Sequence, residues 1–139
     1  EHIGGYIVSG PLYDEHLRAL QEIATMTRSL KIPTIVVVFT SDALADSRML
    51  TQPAYIALHA NLVDRLTAMN FYVLDLYPLH QAKAQEMGWT DISAWWISKY
   101  DPLDRHPNRD GHRFIANQLV EYTRREPELQ KIFREAPLP

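Results

Sequence analysis

Apolar positions in the first half of the chain alternate between helical and extended spacing. Between residues 13 and 30 they recur every three or four positions, with Asp14 placed as a helix N-cap. The run TIVVVF, residues 34–39, is apolar and β-branched throughout, which is typical of a strand buried on both faces of a parallel sheet. The pattern therefore predicts a helix followed by a parallel strand.

A second helix and strand follow in the same order. Pro53 suits a first helical turn, apolar residues then recur at helical spacing, and Asn70 is predicted to be a left-handed cap that ends the helix. The apolar run FYVLDLYP, residues 71–78, predicts the second strand. Helix, strand, helix and strand in this order indicate the α/β class.

The second half of the chain is less regular. A helix is predicted from about residue 80 up to Gly88, followed by an aromatic loop with a short helix over residues 89–100. A last amphipathic helix is predicted from Asn108 or Asp110 to about residue 122, and a short polar helix and tail follow it.

Two clear strands are too few for a complete open sheet, because sheets with helices on both faces usually contain about five. Either strands are hidden in the first ten residues and the aromatic loop, or the chain is part of a larger domain, which is the favoured interpretation. The predicted organisation has an N-terminal extension or linker over residues 1–11 and an α/β unit over residues 12–123. A polar helix and tail are predicted over residues 124–139.

Composition narrows the function classes. The formal net charge is −3 and the basic residues are scattered, which argues against nucleic acid as a partner. The absence of cysteine excludes disulfides, thiolate metal sites and a cysteine nucleophile. The longest apolar run is too short to span a bilayer, and no targeting segment is recognised at the start of the chain. These features leave the cellular compartment of the protein undecided.

The stretch KYDPLDRHPNRDGHRF, residues 99–114, contains the candidate catalytic residues. His106 lies directly before a predicted helix, with Pro107 fixing the turn and Asn108 available as N-cap. Asp104 is close enough in sequence to accept a ring proton of His106, fix its tautomer and stabilise its charged form. The same residues would also suit a turn and helix start without any chemistry.

The run DRHPNRDGHRFIANQL, residues 104–119, resembles the last motif block of the SGNH hydrolases, also called the GDSL esterase/lipase superfamily. That resemblance extends over about residues 12–122. It implies a flavodoxin-like three-layer sandwich with a parallel sheet and a Ser-His-Asp triad, in which His106 is the general base and Asp104 orients it. The implied substrates are acyl esters, either with small acyl groups or on acetylated carbohydrates, and no cofactor is implied.

Two features depart from the family. The commonest spacing is Asp-x-x-His, but position 103 is Leu, so the pattern resembles the Asp-x-His variant of the alginate O-acetylation branch, with Asp101 as a weaker rival. The Gly-Asp-Ser nucleophile block and the oxyanion residues are also absent from the residues before Leu12. The chain is therefore expected to be the C-terminal half of such an enzyme. We expect the missing half, a second copy or another partner to cover its open sheet.

Other site hypotheses remain. Ser41 follows the first predicted strand, but Thr40 precedes it where a tight nucleophile turn needs a small residue. A binding or scaffold module with the same fold is a second possibility.

A metal-dependent phosphoesterase is a third. Its ligands would come from the histidines and aspartates of the candidate stretch, although their spacing matches no common metal motif. They are His106, His112, Asp101, Asp104 and Asp110. His112 is predicted to be a packed or capping residue.

Three further polar residues suggest no chemistry in the sequence. His59 and His80 are interpreted as surface or hydrogen-bonded histidines. Asp75 is interpreted as a cap for the loop after its strand.

Overall fold

The computed structural model describes five segments of the chain, namely residues 2–3, 6–7, 10–40, 47–88 and 106–135. The chain divides into two compact units, residues 1–94 and residues 95–139. The described part is mostly helical with a small parallel sheet, so an α/β mixture is present. The flavodoxin-like sandwich stays a prediction.

The first unit opens with two short strands, β1 (His2–Ile3) and β2 (Tyr6–Ile7), which pair antiparallel. Helix α1 (Pro11–Ser29) follows. The prediction that Asp14 caps this helix is wrong, because Pro11 fits the first turn and Gly10, at φ 100°, occupies the cap position. Asp14 instead lies inside the first turn.

The two predicted strands are confirmed as a parallel pair. β3 (Ile35–Val38) and β4 (Tyr72–Asp75) run in register, so that Val38 lies opposite Asp75. The prediction that the first strand is buried on both faces is wrong for most of β3, because Val38 is its one buried residue. In the described part of the chain this sheet has two strands, so each strand has a hydrogen-bonded neighbour on one side only.

The second predicted helix is also confirmed. A 3-10 helix (Ser47–Thr51) leads into α2 (Pro53–Ala68). Asn70 has φ 64° and its N–H donates to the Thr67 carbonyl at 2.9 Å, as expected of a left-handed cap. This cap turns the chain directly into β4.

Helix α3 (Tyr77–Glu86) begins earlier than predicted. β4 ends at Asp75, before the end of the predicted apolar run, and Pro78 fits the first helical turn, where its missing N–H costs no hydrogen bond. Gly88, at φ 69°, follows the helix end. The early start of α3 brings its first turn to the carboxyl ends of the strands.

The core of the first unit contains residues from α1, α2 and both sheet strands. Its buried apolar members include Ala24, Val38, Leu66 and Phe71, together with Leu74 in β4. Only part of the apolar stripe of α1 is covered, since Ile23 is 42% exposed and Met26 is 55% exposed.

The second unit contains α4 (Arg109–Arg125) and α5 (Pro127–Glu135), which contact each other. Both helices were predicted, although α4 runs further than expected. Leu129 on α5 is 1% exposed and anchors this unit. Among the helices in the described segments, none is both long enough and apolar enough to cross a membrane.

Candidate functional site

His106 lies on the surface, just before a firmly capped helix. Its side chain is exposed, and α4 begins three residues later. The Asn108 side-chain oxygen accepts hydrogen bonds from the backbone N–H groups of Asp110 at 3.0 Å and Gly111 at 2.9 Å. This cap fixes the backbone that follows His106 and confirms the predicted role of Asn108.

The remaining residues of the sequence-predicted site have mixed outcomes. Asp104, Asp101 and Ser41 lie outside the described residues. His112 is exposed on α4, so the prediction that it is packed is wrong. His112 lies in the first turn of α4, and its side chain faces solvent.

A metal centre receives no support from the described residues. In that part of the chain, no three histidine, aspartate or glutamate side chains lie together as a metal site would require.

A second group of polar side chains lies at the carboxyl ends of β3 and β4. We call it the carboxyl-edge cluster, and its members are Thr40, His59, Asp75, Tyr77 and His80. Thr40 follows β3, Asp75 ends β4, His59 projects from α2, and the other two residues lie in the first turns of α3. This edge is where open α/β sheets commonly bind ligands.

Asp75 is the centre of the cluster. Its Oδ1 atom lies 2.6 Å from Nε2 of His59 and accepts the backbone N–H of Tyr77 at 2.9 Å. The latter bond confirms that Asp75 caps the loop after its strand. The His59 ring also packs on the Tyr77 ring, with centroids 4.7 Å apart. A carboxylate and an aromatic face therefore fix the His59 imidazole.

His80 is fully buried, and its Nδ1 atom lies 2.7 Å from the Thr40 hydroxyl. Burial lowers the pKa of His80 from 6.5 to about 4, an effect that nearby His59 reinforces and Asp75 opposes. His80 is therefore neutral near pH 7, and it ties the end of β3 to α3.

The Tyr77 hydroxyl donates to the backbone carbonyl of Leu50, and the Gln81 side chain donates to the same carbonyl at 3.2 Å. Burial raises the pKa of the Tyr77 phenol above its ordinary value, and the charge of Asp75 adds to the rise. Tyr77 therefore keeps its proton and holds the 3-10 helix against α3.

This cluster was not predicted as a site, although the sequence contains one signal for it. His59 stands on the same face of α2 as Tyr55 and Leu66, at helical spacing, and all three are buried. A histidine in an apolar stripe indicates a buried ring that needs a polar partner, although the spacing does not show which residue supplies it.

Comparison of the chain with protein-family models, with curated proteins and with solved structures finds no match. The motif, the setting of His106 and the geometry of the cluster are therefore the observations that bear on function.

Proposed function

We propose that this chain contributes to acyl-ester chemistry of the SGNH type, as part of a serine esterase or O-acyltransferase. His106 is the proposed general base and Asp104 the residue that orients it. The observation that carries the proposal is the setting of His106, an exposed imidazole just before a helix start that Asn108 caps. The motif residues around it support the same assignment.

In the proposed mechanism, His106 accepts the proton of a serine hydroxyl as the serine attacks the ester carbonyl. The protonated imidazole then returns that proton to the leaving alkoxide. Water or a sugar hydroxyl takes up the acyl group in a second round that uses the same base. The serine and the oxyanion donors are proposed to come from sequence upstream of Glu1.

Three other histidines, His59, His80 and His112, fit this role less well. His80 is fully buried and His59 is 8% exposed, so a bulky ester has little access to either ring. His112 is exposed like His106, but it lies within the first turn of α4, where the Asp110 carboxylate two residues before it is 3.9 Å from the Arg113 guanidinium. An exposed general base at a fixed helix start is the better candidate.

The test is ester cleavage by the full-length protein that contains this sequence, with p-nitrophenyl acetate as acyl donor. Release of p-nitrophenolate reports acylation whether the acyl group later passes to water or to a sugar. We expect His106→Ala to lower kcat/KM by about a thousandfold, because a triad base is lost. A fluorophosphonate probe should label the wild-type serine and label the variant far more slowly.

His112→Ala is the matched control, since it removes an exposed histidine from the same helix start. It should retain nearly full activity and labelling. Wild-type turnover that survives in His106→Ala would refute the assignment. A protein with neither turnover nor probe labelling would instead favour the binding module.

A further inference from the structure

We propose that His59, with its partner Asp75 and an adjacent apolar cleft, forms a binding site for a short-chain aliphatic alcohol. This site belongs to the first unit and is independent of the chemistry proposed for His106.

The orientation of the His59 ring decides which of its atoms can meet a ligand. Nε2 lies 2.6 Å from the Asp75 carboxylate, which can only accept hydrogen bonds when ionised. In neutral His59, Nε2 therefore carries the proton, and Nδ1 is left as an acceptor. No described residue hydrogen-bonds Nδ1, although the side chain is only 9% exposed. Nδ1 keeps some access to solvent, and an accessible acceptor on a mostly buried ring suits a ligand that donates a hydrogen bond.

The cleft beside His59 lies between the end of β3 and one face of α2. Its volume is about 60 Å³, and apart from the His59 imidazole and the Tyr55 phenol its lining is apolar. The lining residues are Val38, Phe39, Tyr55, Leu58, His59 and Leu62. Since one water needs roughly 10–15 Å³ on this scale, the cleft admits a molecule of about four heavy atoms.

Charge and polarity select the class of ligand. The Asp75 carboxylate disfavours an anion beside His59, because like charges repel strongly at a poorly hydrated site. An ammonium ion would lose its hydration against the apolar walls. A neutral hydroxyl can donate to Nδ1, and a short alkyl chain can pack against Leu58 and Leu62.

Among the residues that line the cleft, Phe39 is the exposed one. Its side chain is 44% exposed, whereas Val38 beside it is 8% exposed. An alcohol can therefore enter past Phe39 with its alkyl end among the aliphatic side chains and its hydroxyl at His59. With so few heavy atoms, the expected affinity is in the millimolar range.

The test is an NMR titration of the full-length protein labelled with ¹⁵N-histidine, using 1-propanol and tert-butanol. We expect 1-propanol to shift the His59 ring signals saturably, with half-saturation at millimolar concentration. The branched tert-butanol has a wider cross-section and should produce only a shallow linear drift. Equal responses to both alcohols, or equal shifts at the exposed His106 and His112, would overturn the proposal.

A cleft-filling variant gives a second readout. Leu58→Phe adds bulk inside the cleft and leaves the His59–Asp75 pair intact, so the saturable shift should disappear. A saturable 1-propanol response in a folded Leu58→Phe protein would also overturn the proposal. Because the comparison of alcohols uses the wild-type protein, the proposal stays testable if the variant does not fold.

Discussion

His106 and the histidines of the carboxyl-edge cluster have the same side chain but lie in opposite surroundings. His106 is exposed beside a helix start, whereas His80 is 0% exposed and hydrogen-bonded to Thr40. An exposed imidazole can reach a substrate and exchange protons, but a buried one mainly holds neighbouring elements together. The proposed function therefore assigns chemistry to His106, whereas the contacts of the carboxyl-edge cluster indicate a role in stability.

The largest effect on stability is expected from pH, through His80. Its pKa is about 4 in the folded protein and 6.5 in the unfolded chain. As pH falls from 6.5 to 4, the unfolded state takes up a proton that the folded state excludes. His80 should then lower the free energy of unfolding by roughly 3 kcal/mol across this window, with no further change below it.

This pH effect is measured by urea unfolding at several pH values. In His80→Asn the pH dependence that His80 contributes should be absent, while the exposed control His16→Asn should keep it. Equal pH dependence in wild type and His80→Asn would show that burial of His80 does not control acid stability.

A somewhat smaller effect is expected from the hydroxyl that contacts His80. Thr40→Val keeps the shape of this fully buried side chain but removes its hydrogen bond to Nδ1. The free energy of unfolding should fall by about 2 kcal/mol, because a buried polar atom loses a partner. Thr25→Val is the control, since the Thr25 hydroxyl bonds an exposed helix carbonyl. Equal losses in the two variants would contradict the assigned role of the cluster.

Removal of the α4 cap should have a smaller effect again. Asn108→Ala leaves the N–H groups of Asp110 and Gly111 without their side-chain acceptor. The expected cost is about 1 kcal/mol, and Asn108→Ser should recover most of it, because serine is also a good N-cap. Thermal unfolding followed by circular dichroism measures both variants. An Ala variant as stable as the Ser variant would exclude the cap as a stabilising feature.

The smallest effect on stability is expected at His106 itself. His106→Ala should change the free energy of unfolding by less than about 0.5 kcal/mol, because its side chain is exposed. Urea unfolding of this variant beside His112→Ala provides the comparison. A large loss confined to His106→Ala would assign this histidine a structural role.

Much of the local structure was predictable because short-range physics decides it. Proline at first helical turns, Asn70 in the left-handed region and the β-branched run of β3 each specify their elements within a few residues. The Asn108 cap was predictable for the same reason. Asp14 was misassigned because Gly10 and Pro11 define an earlier start for α1.

The carboxyl-edge cluster was not predictable in the same way. Asp75 and His59 are 16 residues apart, and Thr40 and His80 are 40 apart, so each pair meets only once the parallel register of β3 and β4 is set. Sequence spacing alone gives no such pairing. Asp104 remains a prediction because it lies outside the described residues.

The most direct test of the central claim is p-nitrophenyl acetate turnover by two variants of the full-length protein, His106→Ala and His80→Asn. Both are assayed near pH 7 at a temperature where each is folded. The account predicts that His106→Ala loses about a thousandfold in kcat/KM, while His80→Asn keeps activity close to that of the wild type. Retained activity in His106→Ala, or an equal loss in His80→Asn, would contradict it.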